Sequence, residues 1–374
     1  MSLCPFTGQP CKHLLTGEIS PMSEVFQNPI RPFESVGRQG YTLQIASALP
    51  DPVPIGRFEM NRIEPIIDDI VSRADYLKRI QEACATHGDR YTVRFYRHED
   101  GFDASILDHL DQIRSLQIDP VCFVANPEAI GRLPHLTRLT FAPRPKTSPN
   151  VLAVMRVQRL RYFVLADTTT PPVDLAPLGE AKSLHTLRLL GQGKNISAIA
   201  NCTSLVELSM QPQEAHPLEF ISQLPRLEVL KFSLGKRRTI TAIETAPRLR
   251  DLSFHLVSTL EDLGDLQRFP RLRRLQIQQQ KRLKTLRVGP RNGELEHISA
   301  EGLDAVIGLS TLPALKSLSN FNGSIDLDWS KLPQTLTHFA LTPSGLKARE
   351  RHYAEVRSRG LIPEDHPDAS FFYK

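Results

Sequence analysis

The 374-residue chain has little of what stabilises small secreted domains or crosses membranes. It contains five cysteines and one tryptophan, and no apolar run approaches the ~18–20 residues that a membrane span requires. The cysteines are odd in number and scattered, unlike a disulfide framework. The first residues lack the basic and apolar segments of a secretory signal. We therefore expect a cytoplasmic protein without membrane contact, although secretion by a specialised route stays open.

Signatures of catalysis and metal binding are also scarce. No Walker-type, H-E-x-x-H or G-x-S-x-G motif occurs, and Gly191-x-Gly193 lacks the third glycine of a dinucleotide fingerprint. Cys4, Cys11 and His13 do not have the spacing of a closed zinc site. The sequence therefore predicts no catalytic residue, cofactor, metal or small-molecule substrate. An unrecognised enzyme site in the segments that flank the repeats described below is the least favoured alternative.

Positive charge is concentrated in one part of the chain. The net charge is +5, yet Arg226–Arg291 contains 16 Lys and Arg against six Asp and Glu. A basic segment beside a neutral or acidic remainder indicates an acidic partner, either protein or nucleic acid. The alternative interpretation is a solvated face without a partner.

A repeated apolar pattern, L-x-x-L-x-L, runs from residue 113 to residue 341. From residue 113 to residue 272 its first positions follow one another at steps of 21 to 24 residues, and one further member lies late in the chain. The members are Ile113/Leu116/Ile118, Leu136/Leu139/Phe141, Leu160/Phe163/Leu165, Leu184/Leu187/Leu189, Leu205/Leu208/Met210, Leu227/Leu230/Phe232, Leu249/Leu252/Phe254, Leu272/Leu275/Ile277 and Leu336/Phe339/Leu341. Recurrence at this period indicates stacked structural repeats.

Each repeat has two recognisable parts. The second and third apolar positions alternate with polar ones, as in a half-buried strand. A later apolar pair three residues apart, such as Leu218/Ile221, suits a short 3₁₀ or helical turn. One such unit cannot bury its apolar edge alone, so the units must stack into a continuous core.

This pattern resembles the leucine-rich-repeat superfamily. The repeats are similar to its short class, with about 22 residues each, and to those of bacterial members. The resemblance implies an α/β solenoid with a curved parallel sheet and a convex side of short 3₁₀ or helical turns. The family's Asn, three positions after the last apolar residue, is replaced here, for example by Gly235, Val257 and Gln280. Its buried turn hydrogen bonds must therefore be made otherwise.

One part of the pattern is irregular. Leu283/Leu286/Val288 repeats the motif after only 11 residues. We interpret residues 272–318 as two repeats with one phase shift and an inserted loop around Gly289–Gly293.

Four segments follow from these patterns. Residues 1–60, rich in Pro and Gly, form an extended or mobile segment. Residues 61–112 form an α/β cap with a helix at Glu64–His87, a strand at Tyr91–Tyr96 and a helix at Phe102–Leu110. Residues 113–343 form the repeat array. Residues 344–374 form a C-terminal capping helix, Leu346–Arg359 closed by Gly360, and a tail.

The resemblance implies that side chains between the strand leucines project onto an open concave face that binds partners. Tyr and Arg, the types enriched in binding hot spots, occur there, and Val164, Leu190 and Phe321 are expected to be exposed. The candidate partner-binding residues are Arg138, Tyr162, Arg188, Lys231, His255, Arg274, Gln276, Arg287 and Phe321.

The predicted function is a non-enzymatic protein–protein interaction module for an acidic partner, such as an effector, a toxin-neutralising protein or a scaffold. The alternative is nucleic-acid binding by the basic stretch 271–287. That alternative is weaker because strand alternation sends these cations to different faces.

Overall fold

The structure is a computed structural model. It describes residues 31–34, 41–46, 53–59, 62–96, 101–121, 123–143, 148–167, 171–191, 193–321 and 332–342, together with 354, 356–358 and 360. The chain forms two compact units, Met1–Asn195 and Ile196–Lys374.

The first unit contains eleven strands among its described residues. They are β1 Arg31–Glu34, β2 Tyr41–Ala46, β3 Val53–Glu59, β4 Arg62–Val71, β5 Tyr91–Tyr96, β6 Phe102–Asp103, β7 Ser115–Val121, β8 Val124–Ala125, β9 Arg138–Pro143, β10 Tyr162–Asp167 and β11 Thr186–Gly191. The main sheet has the order β1-β2-β5-β7-β9-β10-β11. Strands β1 and β2 are antiparallel and all later neighbours in this series are parallel.

Short helices connect the strands of the first unit. They are α1 Arg73–His87, α2 Glu128–Arg132 and α3 Val151–Val154, with 3₁₀ turns at Gly88–Arg90, Ala104–His109, Val157–Arg159 and Ala176–Glu180. The predicted strand Tyr91–Tyr96 is confirmed as β5, which pairs with β7 one repeat later.

The two helices predicted in the cap need correction. The first begins at Arg73 instead of Glu64, because Ser72 caps it by accepting a hydrogen bond from the Asp75 N–H. The preceding segment, rich in isoleucine, is strand β4, which pairs with β3. The second predicted helix, Phe102–Leu110, is strand β6 followed by a 3₁₀ turn capped by Asp103.

The second unit contains nine strands among its described residues. They are β12 Glu207–Met210, β13 Val229–Ser233, β14 Asp251–His255, β15 Arg274–Gln278, β16 Thr285–Arg287, β17 His297–Glu301, β18 Ala305–Ile307, β19 Ser317–Phe321 and β20 His338–Thr342. Its 3₁₀ turns are Ile196–Asn201, Glu219–Gln223, Leu266–Arg268 and Leu309–Thr311. The main sheet has the order β12-β13-β14-β15-β17-β19-β20, and its neighbours are parallel.

At the C-terminus, residues 354 and 356–358 are helical, and Gly360 follows with φ 62°. Glycine is the usual residue where a helix ends in this left-handed conformation, so Gly360 stays the predicted end of the helix. The rest of Leu346–Arg359, the tail and residues 1–30 lie outside the described residues.

Burial alternates along each strand as the repeat requires. In β13, Leu230 and Phe232 are buried and the Lys231 between them is partly exposed. The Phe232 ring stacks on Phe254 of the next repeat, with centroids 5.4 Å apart. The predicted fold, a leucine-rich-repeat solenoid of parallel strands and short 3₁₀ turns, is therefore confirmed.

The predicted phase shift in residues 272–318 is wrong. Strand β15 pairs directly with β17, so the next repeat is Leu295/Ile298/Ala300, at a regular step of 23 residues. Leu283/Leu286/Val288 instead contributes strand β16, which pairs with β18 in a separate two-stranded sheet. The predicted inserted loop is the turn that returns the chain to β17. The small Ala300 concealed the true repeat, whereas Leu286 and Val288 imitated one.

Candidate functional site

Eight of the nine predicted partner-binding residues lie in the main sheets. Each occupies a strand position that alternates with the buried leucine positions, so its side chain points away from the core. We call this surface the open face. It is the surface on which the sequence predicted the binding site.

Tyr162 is the centre of a cationic cluster on the open face of the first unit. The guanidinium carbon of Arg138 lies 4.3 Å from the centroid of the Tyr162 ring, and that of Arg188 lies 5.8 Å from it. Each such contact contributes about 0.5–1 kcal/mol at an exposed site. Arg138 has no carboxylate partner among the described residues. The ring therefore contacts both guanidinium groups, and Arg138 keeps its charge available beside it.

The predicted exposure of Val164 is wrong. Val164 faces Arg188 in the register of β10 and β11, and it is only 6% exposed. Since the Arg188 guanidinium reaches back towards Tyr162, its aliphatic stem crosses beside Val164. Leu190 and Phe321 are partly exposed.

The predicted cations of the second unit's open face carry acidic partners from the preceding strand. Lys231 Nζ lies 2.9 Å from Glu207 Oε1, and Arg274 Nε lies 2.5 Å from Asp251 Oδ1. The hydrogen bond that Arg274 donates to the Asp251 carboxylate raises the pKa of Arg274 further above its ordinary value. An acidic partner would have to displace these carboxylates, so this part of the face is less suited to one than the sequence suggested.

The remaining candidates on this face are Gln276, His255 and Phe321. Gln276 is exposed in the middle of β15. His255 lies between Ser233 and Gln278 in the register of the sheet, and its Nδ1 is buried without a hydrogen-bond partner. Phe321 ends β19 opposite Glu301.

Arg287 does not lie on the open face, so its predicted place beside Arg274 is wrong. It ends β16, in the separate two-stranded sheet, and its Nη1 lies 3.0 Å from Asp262 Oδ1. The cause is the misassigned repeat, because β16 is not part of the main sheet.

Two arginines of the basic segment are structural. Arg237 is 8% exposed and donates hydrogen bonds to the backbone carbonyl oxygens of Gln213, His216 and Thr239. Arg268 donates to the carbonyl oxygens of Leu263 and Asp265. Desolvation by burial lowers the pKa of both guanidinium groups. These side chains satisfy turn carbonyls in a chain that lacks the family's Asn at the usual position.

A column of three exposed arginines was missed as a possible site. Arg226, Arg248 and Arg271 each precede the first leucine of a repeat, and none has a side-chain partner among the described residues. The signal was present in the sequence, because each follows a proline at a step of 22 or 23 residues. Stacked strands lie about 4.8 Å apart, so the three positions form a row along one edge of the sheet.

Metal-binding groups and membrane-spanning helices are absent from the described part of the chain. No group of three His, Cys, Asp or Glu side chains there is arranged to hold a metal ion. No described helix combines the length and apolarity needed to cross a membrane. Cys84 and Cys202 are buried thiols, and burial raises the pKa of Cys84 to about 12.

Buried leucine columns, parallel strands and 3₁₀ turns at a step near 22 residues give this chain the leucine-rich-repeat fold. No protein-family model and no curated protein matches its sequence. Among solved structures it is similar to an internalin (InlF) from Listeria monocytogenes, at 16% identity and TM-score 0.43 over 73% of this chain and 90% of that one.

Two further structures resemble it. An internalin C2 from Listeria monocytogenes shares 17% identity, with TM-score 0.34, over 64% of this chain and 84% of that one. A leucine-rich-repeat protein of Leptospira interrogans shares 15% identity, with TM-score 0.29, over 63% and 85%. At this level of identity the likeness concerns the fold alone.

Proposed function

We propose that this protein is a non-enzymatic interaction module that binds an acidic protein partner through the open face of its first unit. The observation that carries the proposal is the cluster of Tyr162 between Arg138 and Arg188. A tyrosine ring offers a large rigid contact, and the Arg138 guanidinium beside it offers charge-assisted hydrogen bonds to carboxylates. Tyr and Arg are the types most enriched among energetic hot spots.

The second unit contributes less to this recognition. Lys231 and Arg274 are balanced by Glu207 and Asp251, whereas Gln276, His255 and Phe321 add polar and aromatic contacts. Arg287 takes no part, because it belongs to another sheet. We expect the first unit to supply the charge-dependent part of the affinity.

The cellular role proposed for this module is that of an effector, a toxin-neutralising protein or a scaffold in the cytoplasm. The two buried thiols, Cys84 and Cys202, fit a reducing compartment. None of the described contacts favours one of the three roles over the others.

Nucleic-acid binding is the second candidate function, and the row of Arg226, Arg248 and Arg271 is the observation that favours it. Three unneutralised cations in line could follow a phosphate backbone. The ion pairs in the basic stretch 271–287 count against nucleic-acid binding, because Arg274 is paired with Asp251 and Arg282 with Glu261. Few aromatic side chains accompany the row for base stacking.

Site-specific photo-crosslinking tests the proposal. The photoreactive residue p-benzoylphenylalanine replaces Tyr162 in the full chain, which is irradiated in native cell extract. The matched control carries the same residue at Val154, an exposed apolar side chain of the first unit in α3. We expect a discrete protein adduct from position 162 that is absent from position 154 and is reduced by Arg138→Glu.

Two results would overturn this assignment. Equal adduct patterns from both positions would mean that the open face has no selective protein partner. Adducts destroyed by nuclease, with binding that falls steeply as salt rises, would establish the nucleic-acid alternative.

A further inference from the structure

Two leucines are exposed at equivalent positions of consecutive repeats. Leu234 and Leu256 each follow the last residue of a main-sheet strand, and they are 48% and 39% exposed. They are 22 residues apart, the step of the array. Apolar side chains scattered singly on a surface need no explanation, but an aligned pair does.

Both leucines also have an unfavourable backbone. Leu234 has φ 58° and Leu256 has φ 53°, in the left-handed region where a bulky side chain is rare. The next two repeats place Gln279 at φ 56° and Gly302 at φ 75° in the same position. The turn therefore requires this conformation. Glycine or asparagine would adopt it with less strain than leucine.

Hydrogen bonds between repeats hold the leucines in place. The Leu234 N–H donates to the carbonyl oxygen of His255 over 2.9 Å, and the Leu256 N–H donates to that of Gln278 over 3.2 Å. The backbone cannot rotate to hide the side chains without breaking these bonds. Leucine at these positions thus adds strain and exposed apolar surface, and neither helps folding.

Unneutralised lysines lie next to the pair. Lys236 follows Leu234 by two residues, and Lys281 occupies the same turn position two repeats later. Both are exposed, and neither side chain has a partner among the described residues. The neighbouring Arg282, by contrast, is ion-paired with Glu261 at 2.9 Å. The surface is therefore apolar at its centre and positive beside it.

We propose that Leu234 and Leu256, with Lys236 and Lys281, form a docking site for an extended acidic segment of a protein partner. An apolar side chain of that segment covers the leucines, and Asp or Glu residues beside it meet the lysines. This inference rests on the proposed function and adds a second contact, in the second unit. Charge complementarity favours an acidic polypeptide, and the leucines give a contact that salt does not weaken.

The probe is a displayed library of random 12-residue peptides selected on the immobilised full-length protein. The double variant Leu234→Asn/Leu256→Asn removes the apolar surface while keeping residues that tolerate a positive φ. We expect the selected peptides to have an apolar residue flanked by Asp or Glu. We expect these peptides to bind the double variant at least tenfold more weakly than the wild type. The variant should melt at an unchanged or higher temperature, because strain is relieved.

Two controls define the site. Ile307→Asn removes another exposed apolar side chain, 54% exposed in β18, and should leave binding unchanged. Lys236→Glu/Lys281→Glu should eliminate the preference for acidic peptides. Equal binding to the wild type and the leucine variant, or selected peptides without acidic residues, would overturn the proposal. So would light scattering that shows the leucines mediating self-association.

The result also separates this site from the proposed function. Peptides lost on Tyr162→Ala but retained on the leucine variant would refute the docking site and leave the first-unit face supported. Peptides lost on the leucine variant alone would support this site and count against the face around Tyr162.

Discussion

The side-chain amide of Asn292 donates a 2.8 Å hydrogen bond to the carbonyl oxygen of Leu266, one repeat earlier. Its Nδ2 also lies 3.3 Å from the Phe269 carbonyl oxygen, and its Oδ1 accepts from the Gly289 N–H over 3.1 Å. Asn292 is fully buried at a position where the preceding repeats have Phe269 and Ala246. One polar side chain here joins three turn groups that water cannot reach.

Replacing Asn292 by leucine should destabilise the second unit strongly. The substitution leaves up to three buried backbone groups unsatisfied, which costs about 2–4 kcal/mol. The urea-unfolding midpoint should fall accordingly. Asn150→Leu is the control for loss of an asparagine side chain, because Asn150 is exposed and its side chain makes no capping hydrogen bond. A midpoint unchanged in the Asn292 variant would show that the amide is dispensable.

Arg237 should be essential for stability although it belongs to the segment that looked like a binding surface. Arg237→Met removes the donor for three or more turn carbonyls and should cost about 2–4 kcal/mol. Arg238→Met is the matched control, because the neighbouring side chain is exposed and has no partner among the described residues. Equal effects of the two substitutions on urea unfolding would contradict the structural role.

Asp103 should titrate below the ordinary pKa of an aspartate. The Asn126 side chain and the Ser105 N–H donate to its carboxylate, which lowers the pKa. This contribution to stability is complete above the unfolded pKa, near ~4, and is lost as pH falls through the lower folded value. Asn126→Gly tolerates the φ of 50° and removes the donor.

Carboxyl NMR titration measures this effect. The pKa of Asp103 should rise towards its ordinary value in the Asn126→Gly variant. Asp174, whose pKa is lowered in a similar arrangement with the Ala176 N–H and Asn195, should not change. A shift of both aspartates would indicate a general perturbation of the first unit.

Gly235 should not accept even one methyl group. A Cβ there would overlap the carbonyl oxygen of Pro212, which is held by a 2.9 Å hydrogen bond from the Lys236 N–H. Gly235→Ala should therefore cost about 3 kcal/mol in the free energy of unfolding. In Gly293→Ala the nearest neighbour is the Pro290 carbonyl oxygen at 3.8 Å, so we expect a neutral effect or slight stabilisation. The reverse order would contradict this packing.

Most of the sheet could be predicted because its signal is repeated. Apolar residues equivalent to Leu230 and Phe232 occur in both neighbouring strands at a nearly constant step. The repeat can therefore be recognised even where a single unit is irregular. The assignment of repeats was wrong where a residue did not match the residue type expected at its position. Ala300 concealed a true strand, and Leu286 with Val288 imitated one on another face.

The candidate site was harder to predict than the sheet. Alternation placed Lys231 and Arg274 on the correct face, but their acidic partners depend on which residue stands opposite in the next strand. The burial of Arg237 depends on the path of the turns, and the periodic pattern of the strands does not predict that path. The strained backbone of Leu234 and Leu256 likewise cannot be predicted from the pattern of apolar residues.

The ion pairs on the open face mean that the repeats of the second unit are not interchangeable. Glu207, Val229 and Asp251 stand in line across three consecutive strands. Loss of the 22 residues from Leu227 to Arg248 would bring Asp251 directly opposite Glu207, and like charges so placed repel. It would also take away Lys231, the partner of Glu207. The charges that face one another across neighbouring strands therefore fix the order of these repeats.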